Sequence, residues 1–232
     1  MPVLELNDIS YCYPQADTNA VENFSATLKT GSITTLLGAN GSGKSTIGKI
    51  AAGLIQPSRG SVNISEPVLT SSWNSIGVLF QSPDDQFVSS TVGAELAYGL
   101  ENLALETAVI NQAVEECLDR YKLKPLRDRS PEQLSDGQKQ LVALMSVMLM
   151  RPRFLILDEA VSYLDWGWQE IIRRTIEEVV ADTGVLWITT RTSEALRADE
   201  VWLIDDGKLI ASGEPSSTLS ALKLEQYGLA PL

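Results

Sequence analysis

The sequence predicts an α/β fold built around a parallel sheet. Three features predict it. Short β-rich runs alternate with runs of helical spacing, a glycine-rich loop joins one β-rich run to a helix, and Phe154–Leu157 is wholly apolar and ends in two acids. A short strand without polar alternation suits a parallel sheet, where both faces are covered.

The elements follow in order. Val3 to Ser10 opens with the alternation Val3-Leu4-Glu5-Leu6 and reads as a strand. After a turn around Pro14 and Asp17 come strands at Phe24–Leu28 and Ser32–Leu37, separated by Thr30-Gly31. The glycine-rich loop leads into a helix from about Lys44 to Leu54, and Pro57–Gly60 breaks the chain. Short strands are expected at Ser61–Ile64 and Ile76–Phe80. Helical spacing takes over from about Val92 to Leu126, in Glu95–Tyr98 and Ala108–Tyr121, with Val109, Ala113 and Leu118 on related faces. A helix over Ser135–Met150 precedes the apolar strand. A helix over Glu170–Ala181, a strand at Val185–Thr189, a short helix at Ser193–Ala198 and a strand at Val201–Ile204 complete the series. Asp205-Asp206-Gly207 is a turn, and only a short tail is expected after Gly213. The pattern is an α/β sheet with a helical insertion near residues 85–151.

Composition narrows the function. A chain of 232 residues can bury roughly 70–75% of its unfolded surface. Its 44% hydrophobic and 21% charged residues are ordinary for a soluble globule. The net charge of −12 argues against nucleic acid as a partner, because Lys and Arg supply that affinity. With no histidine, a Ser–His–Asp triad, a His metal site and a His pH switch are excluded. Cys12 and Cys117 lack metal-ligand spacing and read as reduced thiols of a cytosolic protein. No signal layout opens the chain. The apolar run Leu141–Met150 is about half of the roughly 20 residues a bilayer needs, so it reads as a buried helix.

Gly38-Ala39-Asn40-Gly41-Ser42-Gly43-Lys44-Ser45-Thr46 fits G-x-x-x-x-G-K-[ST]. Glycines let the backbone curl so that N–H groups point inward at phosphate oxygens. The helix that follows adds its positive end. Lys44 supplies a charge for the β- and γ-phosphates, and the Ser45 hydroxyl can ligate Mg²⁺. Ligands of a parallel sheet bind at the carboxyl ends of its strands. Asp158 can therefore face the same site and hold Mg²⁺ through water. Glu159 can orient or deprotonate an attacking water. An ordinary Glu, with a pKa of about 4.3, is a weak base, so its positioning should count for more than its basicity.

Leu134-Ser135-Asp136-Gly137-Gln138 resembles the LSGGQ signature of ATP-binding-cassette (ABC) ATPases, and the resemblance extends over nearly the whole chain. It implies a P-loop NTPase fold with a RecA-like parallel core, an antiparallel β subdomain and a helical subdomain. One ABC ATPase domain would span 1–232, with 1–84 and 152–232 as the nucleotide-binding core and 85–151 as the helical subdomain. By the same resemblance Tyr13 stacks on adenine, and Asn40 through Thr46 hold ATP in the Walker A loop. Gln81 is the Q-loop glutamine, a catalytic and metal-facing residue. Ser135, Gly137 and Gln138 are the signature's ATP contacts, Asp158 and Glu159 are Walker B, and Ser162-Tyr163-Leu164-Asp165 is the D-loop. Independently of any family, Ser135 and Gln138 form S-x-x-Q, a capping box. The resemblance implies that this helix end meets the γ-phosphate held by a second ABC ATPase subunit in a head-to-tail dimer.

Gln81-Ser82-Pro83-Asp84-Asp85-Gln86 is similar to the Q-N-P-D-D-Q segment of ABC subunits from energy-coupling factor (ECF) and cobalt-type importers, as is Ala97–Leu103. This implies an ATPase at the cytoplasmic face of a prokaryotic membrane. It would energise vitamin or cobalt/nickel uptake with a transmembrane coupling subunit and a substrate-binding membrane subunit. Other readings stay open: a catalytically degenerate subunit paired with an active one, or an ATPase of another transporter class. Soluble ABC proteins of DNA repair or translation usually carry coiled coils, zinc modules or a second cassette, none of which is present in this sequence.

Several residues depart from the pattern. Thr190 stands where the family places histidine and has a much shorter reach. Its neighbour Arg191 is read as a solvated cation, with substitution for the imidazole as the alternative. Asp136 replaces the first signature glycine. At ~8 Å from a phosphate charge, in an effective dielectric of ~20, it would repel by about 2 kcal/mol. Leu141 replaces the arginine of Q-R-V. These departures lead to the hypothesis that the chain binds Mg-ATP well, hydrolyses it poorly and pairs with a different ABC subunit. Thr190→His is expected to raise steady-state turnover; an unchanged rate contradicts the hypothesis.

Overall fold

The computed structural model describes residues 2–65 and 75–231. They form two compact units, one of residues 1–78, 153–159 and 177–232, the other of 79–152 and 160–176.

The first unit carries two sheets. Strands β1 (Val3–Tyr11), β2 (Val21–Lys29) and β4 (Arg59–Ser65) form an antiparallel sheet in the order β2-β1-β4. The second sheet has the order β5-β6-β7-β3-β8-β9, from β3 (Ile33–Leu37), β5 (Ile76–Leu79), β6 (Phe154–Asp158), β7 (Gly184–Thr189), β8 (Glu200–Asp205) and β9 (Lys208–Gly213). Within it β6, β7, β3 and β8 are parallel, and β9 turns back antiparallel to β8. Every residue of β7 is buried, as the absence of polar alternation requires.

The two sheets and helix α1 (Lys44–Ala51) share one core. Leu4, Leu6, Phe24 and Leu28 come from the antiparallel sheet, Leu36, Ile156, Leu186 and Ile188 from the parallel one, and Ile47 and Ile50 from α1. Gly48 lets α1 approach closely, since a Cβ there would sit 2.6 Å from Ile188 Cδ1. The register Leu37↔Thr189, Leu37↔Leu203 and Asp158↔Ile188 aligns the carboxyl ends of β3, β6, β7 and β8. Gly38, Glu159 and Thr190 therefore leave the sheet at one edge.

The second unit is helical: α2 (Val92–Asn102), α3 (Thr107–Arg120) and α4 (Asp136–Met148), with the start of α5 (Trp166–Val179). Thr91 caps α2 by accepting from Ala94 N–H. Helix α4 buries Leu141, Val142, Leu144 and Met145, so the position where the resemblance expects arginine lies in the core. Among the described residues no helix is long and apolar enough to cross a membrane.

Four expectations need correction. Helix α1 stops at Ala51, because Gly53 turns to φ +73° and Leu54 N–H bonds Lys49 O. Helix α5 begins four residues before the expected Glu170, with Asp165 Oδ1 accepting from Trp168 N–H. Helix α6 is only Thr192–Ala195. The stretch after Gly213 is not a plain tail: it forms α7 (Pro215–Ser220) and a 3-10 turn at Leu224–Tyr227, and the residues before it form β9, a strand the sequence reading lacks. Glu214 caps α7, and hydrogen bonds from Ser217 and Ser216 hold its carboxyl down at about 2.

Candidate functional site: a phosphate loop and a second carboxylate site

The loop from Gly38 to Gly43 turns between β3 and α1 under steric constraint. A Cβ at Gly38 would come within 2.4 Å of Ile204 O, and one at Gly43 within 2.5 Å of Ala20 O. Gly43 holds φ +102° at the head of α1, and Gly41 holds φ +82° with no atom near its missing side chain. Ser42 N–H closes the loop on Ala39 O at 3.2 Å. The Ser42 hydroxyl is buried without a hydrogen-bond partner.

Lys44 is 4% exposed and its Nζ donates to Ala39 O at 2.8 Å. Burial pushes its ammonium pKa down, opposed by the charges of Glu159 and Asp158. Ser45 Oγ donates to Asp158 Oδ1 at 3.1 Å, which places two of the three expected metal ligands side by side. Burial raises the Asp158 pKa, against the Ser45 hydrogen bond and the charges of Lys49 and Lys44. Glu159 adopts φ +51°, a left-handed conformation uncommon for a non-glycine residue, and its N–H is held by Ile188 O at 3.1 Å. Tyr13 Oη lies 3.1 Å from Thr46 Oγ1, and its ring stands edge-on to Tyr11 at 4.9 Å.

A hollow of about 290 Å³ joins these groups, lined by Tyr13, Asn40, Gly41, Gly43, Lys44, Ser45, Thr46 and Glu159. Every site residue expected in the first unit lines it, except Ser42, which is buried in the loop, and Asp158, which bonds to Ser45. Mg²⁺ characteristically binds one or two carboxylates together with phosphate oxygens. The Ser45–Asp158 pair fits that donor set. Among the described residues no cluster of three or more His, Cys, Asp or Glu could hold a metal.

The remaining expected residues lie in the second unit. Ser135 caps α4 in a complete capping box, its Oγ accepting from Gln138 N–H while Gln138 Oε1 accepts from Ser135 N–H. Gly137 is packed on the Trp168 ring, which a Cβ would meet at 2.2 Å. Gln81 Nε2 donates to Tyr163 Oη at 3.1 Å. Asp84 pairs with Lys139 at 2.7 Å, and Gln140 Nε2 donates to Phe80 O at 3.3 Å, so α4 grips the Q-loop segment on both sides of Gln81. A second hollow, of about 280 Å³, is lined by Gln81, Asp84, Asp136, Gln140 and Tyr163, among others. Arg191 is not simply solvated: its Nη1 lies 3.5 Å from Oε1 of the buried Glu194.

Sequence reasoning missed Ala39 as the carbonyl that holds Lys44, and Lys139, Trp168 and Tyr163 as neighbours of the signature and the Q-loop. The pairing of Lys139 with Asp84 spans 55 residues, so no local pattern announces it.

The pattern of the ABC transporter family matches residues 21–162. The chain belongs to that family. An energy-coupling factor transporter ATP-binding protein EcfA of Pediococcus pentosaceus is 38% identical over 227 residues, covering 94% of this chain and 81% of that protein. EcfA1 of Lacticaseibacillus paracasei is 36% identical, covering 98% of this chain and 84% of that protein. The solved structure of cbiO1 from Clostridium perfringens, described as part of the ABC transporter complex cbiONQ, matches with a TM-score of 0.80 and 32% identity, over 92% of this chain and 89% of that one. A bacterial Atm1-family ABC exporter, 23% identical with a TM-score of 0.78, shares the fold.

The buried Asp158 gives a sign. Its pKa lies above the ordinary carboxyl value, so its charged form weighs against folding once the pH rises through that pKa. Asp158→Asn is therefore expected to raise Tm in EDTA at neutral pH and, in a separate assay with Mg²⁺ supplied, to reduce ATP hydrolysis. A lowered Tm contradicts the assignment of burial as the dominant cause.

Proposed function

We propose that this chain is the ATP-binding and ATP-hydrolysing subunit of an ECF-type transporter. The observation that carries the reading is the convergence of Lys44, the Ser45–Asp158 pair and Glu159 on one hollow at the phosphate loop. The names of the EcfA relatives and of cbiO1 support the transporter class.

In this reading Tyr13 carries the adenine, and the loop N–H groups with Asn40, Ser42, Lys44 and Thr46 hold the phosphates. Ser45 and Asp158 hold Mg²⁺, with Gln81 as its third protein contact. The metal would supply charge neutralisation of the phosphates. Lys44 leaves Ala39 O for the phosphate oxygens. Glu159, fixed by its backbone bond to Ile188, orients the attacking water. The signature residues Ser135, Gly137 and Gln138 serve the nucleotide of a second ABC ATPase subunit in a head-to-tail dimer. Gln81–Gln86 and the Ala97–Leu103 stretch meet a transmembrane coupling subunit, which works with a substrate-binding membrane subunit. The chain is then one ABC domain, peripheral at the cytoplasmic face of the membrane.

A second reading, a silent partner of an active ABC subunit, draws on Thr190 in the histidine position and on Arg191 held by Glu194. Steady-state Mg-ATP hydrolysis by the purified chain, with Lys44→Ala as blank, decides between them. Turnover clearly above the blank supports the motor. ATP binding with turnover at the blank level supports the silent partner.

A further inference from the structure

The segment after α7 touches the phosphate loop. Gly228 holds φ +68°, and a Cβ there would lie 3.2 Å from Cβ of Ala39. Ala39 is the residue whose carbonyl accepts both Lys44 Nζ and Ser42 N–H. Two residues further on, Ala230 O accepts from Thr192 Oγ1 at 2.9 Å, and Thr192 is buried. Thr192 opens α6 directly after Thr190 and Arg191. Leu224 and Leu229 anchor the segment in a core that includes Leu37, the last residue of β3 before the loop, and Ala195 of α6. One short stretch thus braces the two backbone segments that leave the sheet beside the hollow, the phosphate loop after β3 and the turn after β7.

We propose that Leu224–Ala230 is a positioning strap whose docking is thermodynamically coupled to ATP binding. The inference rests on the reading of the Gly38–Thr46 loop as the ATP site. The physical reason is short. Lys44 and Ser42 both take their resting partner from Ala39, so displacing Ala39 displaces the cation and the N–H groups that receive phosphate. Misplacement of such groups by about 1 Å is enough to cost large factors in binding or rate. Coupling is reciprocal, so a strap that strengthens ATP binding is itself held more tightly when ATP is bound.

Gly228 is the lever. A β-branched residue at positive φ is strained, and its Cβ also meets Ala39. Thr192→Val removes the Ala230 bond while keeping the side chain's shape. The experiment uses the full chain, a fluorescent ATP analogue and amide hydrogen exchange over residues 224–230. Gly228→Val is expected to weaken analogue binding about tenfold with its circular dichroism unchanged, and Thr192→Val about threefold. ATP is expected to slow exchange in 224–230 of the wild-type chain. Should Gly228→Val fail to fold, Thr192→Val and the exchange measurement carry the test. Wild-type affinity in both variants, or exchange in 224–230 indifferent to ATP, overturns the strap. Binding that survives Lys44→Ala unchanged overturns the ATP-site reading instead, so the two failures are told apart.

Discussion

The burial of the Lys44 ammonium is the constraint around which the first unit is arranged. Lys44 is 4% exposed and needs oxygen partners; its Nζ donates to Ala39 O, with the charges of Glu159 and Asp158 nearby. The tight closure of the loop, the glycines that permit it and the alignment of strand ends all serve that placement. Asp158 is held above its ordinary pKa by the same burial that holds Lys44 below its own. Each group keeps a hydrogen bond, Lys44 to Ala39 O and Asp158 from Ser45 Oγ, and the buried Ser42 hydroxyl has no partner. A polyanion with a divalent cation would meet the Lys44 ammonium and the Ser45–Asp158 pair together.

The sheet turns this local tension into a shared edge. Because β6, β7, β3 and β8 run parallel and in register, the loop, Glu159 and Thr190 emerge beside one another although they are far apart in sequence. The left-handed backbone at Glu159 belongs to the same pattern of strain at a site where a side chain must be aimed. In the second unit the grip of α4 on the Q-loop plays a comparable part, with Lys139 and Gln140 fixing the chain on either side of Gln81.

What was legible in the sequence was local. The phosphate loop, the apolar strand ending in Asp158-Glu159 and the S-x-x-Q box each occupy a few consecutive residues, and each has its expected local geometry. The turn at Asp205-Asp206-Gly207 was also written locally, and the strand β9 that follows it is the part the sequence reading lacks. Asp165 likewise announced the start of α5 three residues ahead of the N–H it accepts. The rest was not local. Gly137 against Trp168, Gln140 on Phe80 and Gly228 against Ala39 are meetings of distant segments. Arg191 looked like a solvated surface cation because its buried partner, Glu194, is itself a residue that composition alone places outside.

The departures from the family pattern acquire different weights in this frame. Leu141, where the family pattern has arginine, is a core residue. Asp136 sits exposed at the head of α4, where the helix dipole favours it, and its cost falls on whatever anion approaches from a partner. Thr190 follows β7 and lies outside the phosphate loop. Calorimetric titration of Mg-ATP into the purified chain tests the central claim most directly, because it asks only whether the strained loop takes a phosphate ligand. The account predicts one site per chain that disappears in Lys44→Ala. Absence of binding, or an unchanged isotherm in Lys44→Ala, would contradict it.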